Sequence, residues 1–86
     1  MTLNITERTM ITKLLESGIV TEVSGKVEIG GFTVGWDLYR RENNYFDDSV
    51  KFVAGLGYEL ESFDSVPEAM DALEDMINKK RKEEAA

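Results

Sequence analysis

Gly30-Gly31-Phe32-Thr33-Val34-Gly35-Trp36-Asp37-Leu38-Tyr39 is the stretch on which the fold turns. Phe32, Val34, Trp36 and Leu38 alternate with Thr33, Gly35, Asp37 and Tyr39, which is the period of a strand with one buried face. Ahead of it stand two glycines, the residues that accept the backbone angles of a two-residue hairpin turn. Upstream of the turn Val23, Val27 and Ile29 share one parity, while Glu22, Lys26 and Glu28 share the other. A second strand therefore runs into the glycine pair. Ser24-Gly25 breaks that strand's pattern and reads as a tight turn or a bulge. Downstream, Arg40 to Asn44 reads as a solvated loop.

Helices flank this β region. Residues 5–17 show Met10, Ile11, Leu14 and Leu15 on one face, with Asn4 and Glu7 spaced as a capping box and Gly18 as a stop. Ile19 is placed to touch Leu14 behind that stop. Near the other end, Ser65 and Glu68 form a second capping box, with Pro67 in the first turn. Val66, Ala69, Met70, Leu73, Met76 and Ile77 then give a continuous apolar stripe, predicting a helix over 66–80. Residues 45–57 admit two readings. Phe46, Val50, Val53 and Leu56 fit a helical face capped by Asp48 and stopped by Gly57. Val50, Phe52, Ala54 and Leu56 fit a strand. The succession of an apolar segment, Leu-Gly and Tyr-Glu-Leu-Glu favours the helix, leading into a short strand at 58–63. The expected architecture is α+β: an antiparallel sheet of three to four strands with an N-terminal and a C-terminal helix packed on it. Residues 1–81 form a single domain and 82–86 a frayed charged tail.

Composition narrows the chemistry. In 86 residues there is no cysteine and no histidine. Disulfides, thiolate nucleophiles and zinc–thiolate sites are excluded, as are the usual general base near pH 7 and the commonest transition-metal ligand. Ser17, Ser24, Ser49, Ser62 and Ser65 have no activating partner in any local motif, and Gly30-Gly31 and Gly55-Leu56-Gly57 match no phosphate loop. The adjacent Asp47-Asp48 and the Glu59/Glu61 pair lack calcium-loop spacing, so neither a metal nor a cofactor is expected. The chain is not expected to be an enzyme. No apolar run approaches the ~20 residues of a membrane span, and Met1 to Thr12 has no signal-peptide pattern, so the expected location is cytoplasmic.

Charge is the remaining signal. The net charge is -7, and it is unevenly spread. Residues 1–41 are neutral, 42–75 carry −9 and 76–86 carry +2. Glu68, Asp71, Glu74 and Asp75 line a helix face about 10 Å long at ~1.5 Å per residue. Glu59, Glu61 and Asp64 precede them. If these groups are neighbours they form a carboxylate array that imitates a phosphate backbone. Tyr39 and Tyr45 flank the charged loop, and tyrosine beside acidic groups is an interface composition. The candidate binding residues are therefore Glu59, Glu61, Asp64, Glu68, Asp71, Glu74, Asp75, Tyr39 and Tyr45.

The function this supports is non-enzymatic docking on a protein with a basic, ordinarily nucleic-acid-binding, surface. Direct contact with nucleic acid is disfavoured because phosphates would be repelled. In size, acidity and lack of catalytic residues the chain resembles, as a class, phage-encoded inhibitors of bacterial defence systems, a likeness of composition that assigns no residue. The alternatives are a self-associating module, a homodimer built on an exposed sheet edge or on Met70, Met76 and Ile77, and a small-ligand pocket lined by Trp36, Tyr39 and Tyr58.

Overall fold

The computed structural model describes residues 3–43 and 49–85. Its elements are α1 (Ile5–Ser17), β1 (Glu22–Ile29), β2 (Phe32–Asn43), β3 (Ser49–Leu56), β4 (Glu59–Phe63) and α2 (Val66–Ala85). The strands form one sheet in the order β1-β2-β3-β4, each antiparallel to its neighbour. Both helices pack on one face of it, and the expected α+β architecture holds.

Gly30 and Gly31 make the β1–β2 turn with φ of 59° and 81°. Both central residues of a type I′ hairpin need positive φ, which costs glycine nothing and matches the twist of the strands. Ile29 and Phe32 close the turn, and the register then runs one for one from Val27↔Val34 to Glu22↔Tyr39. No turn or bulge occurs at Ser24-Gly25, which corrects that expectation. Gly25 is opposite Trp36 for a packing reason: a Cβ there would lie 2.6 Å from Trp36 Cζ2. The glycine makes room for the indole ring, which is buried.

The even residues of β2 and β3 face the helices. Trp36 and Leu38 pair with Leu56 and Ala54, and these four join Phe52, Val27, Ile29 and the α2 stripe Val66, Ala69, Met70, Leu73 and Ile77 in the core. Residues 49–56 are a strand, and the helical reading of 45–57 is overturned there. The reason is burial on both faces: Phe52, Ala54 and Leu56 sit under the helices, while Val53 and Gly55 are buried on the other side. A central strand shielded on two faces loses the clean alternation that would mark it. Phe46 and Asp48 of the helical reading lie outside the described residues.

The rest of the expected packing differs in detail. Phe32 was expected on the buried face, yet it is 72% exposed. The end of α2 covers the β1 side of the hairpin, where Arg81 Nη2 donates to the Glu28 carbonyl at 3.3 Å and Glu84 lies against Gly30, and Phe32 is on the other side. Accordingly α2 continues to Ala85, past the expected end at residue 80.

In α1 the capping box forms as expected: Glu7 N–H donates to Asn4 Oδ1 at 2.8 Å, and the Asn4 N–H donates back to Glu7. Gly18 ends the helix. Val20 donates its N–H to the Leu14 carbonyl and packs on the core, whereas Ile19 is exposed and makes no such closure. Of the apolar face Met10, Ile11, Leu14 and Leu15, only Leu15 is fully buried. The helix is held instead by two arginines. Arg40 Nη1 donates to the carbonyls of Leu15 at 3.0 Å and Glu16 at 2.7 Å, while its Nε pairs with Glu42. Arg8 bridges to Asp71 and Glu74 of α2.

Candidate functional site

The site begins with the parity of β4. Glu59 pairs with Leu56 and Glu61 with Ala54, so both carboxylates lie on the helix side of the sheet, at its edge. Leu60 and Ser62 take the open side. The acidic face of α2 runs beside this edge. Glu59, Glu61 and Asp75 line one open groove of about 240 Å³ together with Ala72, Met76 and Lys79. Of the helix carboxylates only Asp75 shares this groove with the strand pair, while Asp71 and Glu74 turn to Arg8 of α1, so the array that the sequence left open is met in part.

Intramolecular cations reach into this array. Asp71 and Glu74 both pair with Arg8, the latter at 3.2 Å. Asp64 pairs with Lys51. Glu59 pairs with Lys80 at 3.1 Å, and that hydrogen bond, with the Glu59 charge behind it, raises the Lys80 ammonium above its ordinary pKa. Glu61, Glu68 and Asp75 carry no ion pair among the described residues. The face is acidic, but its field is weaker than a count along residues 42–75 suggests. All the pairs are at least partly solvated, so they can be exchanged for a partner's cations.

The tyrosines do not join it. Tyr39 is half-buried on the open face of the sheet, between Glu22 and Val53, with the sheet separating it from α2. Tyr45 lies outside the described residues, as do Asp47 and Asp48. The expected pocket of Trp36, Tyr39 and Tyr58 does not assemble either. Trp36 is in the core, Tyr39 is on the opposite face, and Tyr58 projects fully exposed from the β3–β4 turn. Met70 and Ile77, offered above for self-association, are buried in the core. No cluster of three or more His, Cys, Asp or Glu able to hold a metal occurs among the described residues. No helix there is long and apolar enough to cross a membrane.

Sequence reasoning missed Arg8 as a member of this site and Arg40 as a helix anchor. Their partners lie 63 to 66 residues away for Arg8 and 24 to 25 for Arg40, and no local pattern signals contacts at such separations.

A second carboxylate pair occupies the open face. Asp37 Oδ1 is shielded from water and has no hydrogen-bond partner among the described residues. Burial, and then the charge of Glu22, diagonal to it across the β1–β2 ladder, hold the Asp37 carboxyl above its ordinary pKa. The folded state therefore binds this proton more tightly than the unfolded chain. Stability from this group is greatest in acid and falls as pH rises from the ordinary carboxylate range through the raised value. Asp37→Asn is expected to raise stability at pH 7 by about 0.5–1 kcal/mol, with the gain shrinking towards pH 3. Urea titrations of both proteins at the two pH values check this. An equal effect at both would mean that charge is not its cause.

No family model, curated protein or solved structure matches this chain.

Proposed function

We propose that the chain is a non-enzymatic binding protein that docks the β4–α2 edge on a basic surface of a partner protein. The observation that carries this reading is the groove that brings together three carboxylates, Glu59, Glu61 and Asp75, with Ala72 and Met76 and a single cation, Lys79. A lysine or arginine side chain matches it in two ways. Its aliphatic stem can lie along the two apolar residues while its charged head meets the carboxylates. Glu68 extends the unpaired acidic charge one step further along α2. Partners with such side chains in a row include proteins whose basic surface ordinarily holds nucleic acid, and an inhibitor of that class would compete for it.

The ion pairs choose the residues to test. Reversing Asp71 would also break its bridge to Arg8 and loosen α1. Glu61 and Asp75 are free of that ambiguity, whereas Glu68 stands in the first turn of α2, where its charge suits the helix N-terminus. The double variant Glu61→Lys/Asp75→Lys is expected to fold as the parent does, by circular dichroism, and to lose partner capture. In pull-downs from host lysate the parent is expected to retain a basic protein at low salt and release most of it at ~0.5 M salt, where the screening length falls to roughly 4 Å. Retention of the same protein by the double variant would place the contact elsewhere.

A further inference from the structure

The sheet has two edges, and the acidic groove uses β4. The other edge is β1, whose free backbone groups follow from the hairpin. A two-residue turn makes Ile29 and Phe32 a hydrogen-bonded pair, and in an antiparallel ladder such pairs recur at every second residue. Val27, Gly25 and Val23 therefore point their N–H and C=O groups at β2. The hydrogen bond from Arg40 N–H to the Thr21 carbonyl, 2.8 Å, continues the same series. Glu22, Ser24, Lys26 and Glu28 must then point theirs outward. The Glu28 carbonyl is taken by Arg81. The backbone groups of Glu22, Ser24 and Lys26 have no hydrogen-bond partner among the described residues, and together they form an unpaired ladder template.

We propose that this edge pairs with β1 of a second copy, antiparallel, about a two-fold axis at Ser24. Charge selects the register. With Ser24 opposite its own copy, Glu22 faces Lys26 of the other chain on both sides of the axis. Both side chains are exposed, and neither has an ion pair among the described residues. Shifting the centre to Gly25 sets Glu22 against Glu28, and shifting it to Lys26 sets lysine against lysine. A centre at Val23 leaves both charges without a charged cross-strand partner. A centre at Val27 sets Lys26 against Glu28 twice, but it needs the Glu28 carbonyl that Arg81 occupies, so only the register at Ser24 combines two opposite-charge cross-strand pairs with about six free ladder hydrogen bonds. Arg81 bounds the ladder by occupying the carbonyl of Glu28. A two-fold perpendicular to the sheet keeps both pairs of helices on one face of a continuous eight-stranded sheet. The two acidic β4–α2 grooves then lie at its outer ends, so this pairing does not depend on the docking reading.

Sedimentation velocity on the full chain, from about 10 to 500 µM at low salt, tests the proposal. The parent is expected to reach twice its 9.7 kDa mass. Glu22→Lys and Lys26→Glu are each expected to weaken association at least about tenfold, because each turns both cross-strand pairs into like-charge pairs. The double variant Glu22→Lys/Lys26→Glu is expected to restore it. Ser24→Pro removes an outward N–H that no intramolecular bond uses, so it is expected to give a monomer with the parent's circular dichroism. A parent that stays monomeric throughout the range overturns the proposal. So does a dimer indifferent to these single changes, or a double variant that remains monomeric while folded.

Discussion

Gly25→Val is expected to destabilise the domain by about 2–3 kcal/mol. The effect is large because it opposes what the strand alone would prefer. Valine is among the best strand residues and glycine among the worst, so propensity predicts a gain of up to ~1 kcal/mol. The opposing term is the Trp36 ring, whose Cζ2, Cε2 and Nε1 atoms would lie 2.6, 2.7 and 2.8 Å from the new Cβ. Trp36 is 8% exposed, belongs to the core and pairs with Leu56, so a shift of its ring would disturb core packing. Urea unfolding at neutral pH measures the loss. Trp36→Leu on its own should also destabilise, by leaving a cavity. Combined with Gly25→Val it should cost clearly less than the sum, because the smaller side chain vacates the space that valine enters. Additive costs would show that Gly25 is kept for something other than the indole ring.

Arg40→Ala is expected to cost about 2–3 kcal/mol and to act first on α1. Arg40 gives its guanidinium to two carbonyls at the end of that helix, where the partial negative charge of the helix dipole collects. Its side chain is 17% exposed, its Nε pairs with Glu42, and the guanidinium lies 6.0 Å from the centre of the Phe52 ring. These contacts matter more than usual because α1 buries only Leu15 completely. Without them the helix depends on half-buried side chains and on the Arg8 bridges. Hydrogen exchange is the discriminating measurement. Amides of α1 should lose protection well before those of β2 and β3, as expected for a sub-global opening. Arg40→Lys should recover only part of the loss, because an ammonium lacks the planar fork of donors. Uniform loss of protection across sheet and helix would assign Arg40 to the core as a whole.

Much of the fold was legible because its signals are local. The Gly30-Gly31 turn, the alternation from Phe32 to Leu38, the Asn4–Glu7 capping box and the stripe from Val66 to Ile77 each lie within a few residues of one another. The structure reproduces their elements. Where legibility failed, the determining contact was distant. Gly25 read as an interruption because Trp36 is not its neighbour in sequence. Residues 49–56 read more readily as a helix because their second buried face is visible only once β2 and β4 flank them. Phe32 read as core because the pattern cannot say where α2 ends its coverage.

The candidate site divides along the same line. Composition alone determined that no thiol or imidazole chemistry is available and that residues 42–75 carry the negative charge, because both are counts that folding leaves unchanged. Parity along β4 and spacing along α2 also determined which carboxylates share a face. Only the tertiary structure decided that Glu59, Glu61 and Asp75 meet at one groove and that Tyr39 lies on the far side of the sheet. It alone decided that Arg8, Lys51 and Lys80 neutralise four of the seven carboxylates proposed for the site. The physical reason is that charge interactions fall off with distance in space, and spatial neighbours such as Arg8 and Glu74 are 66 residues apart along the chain.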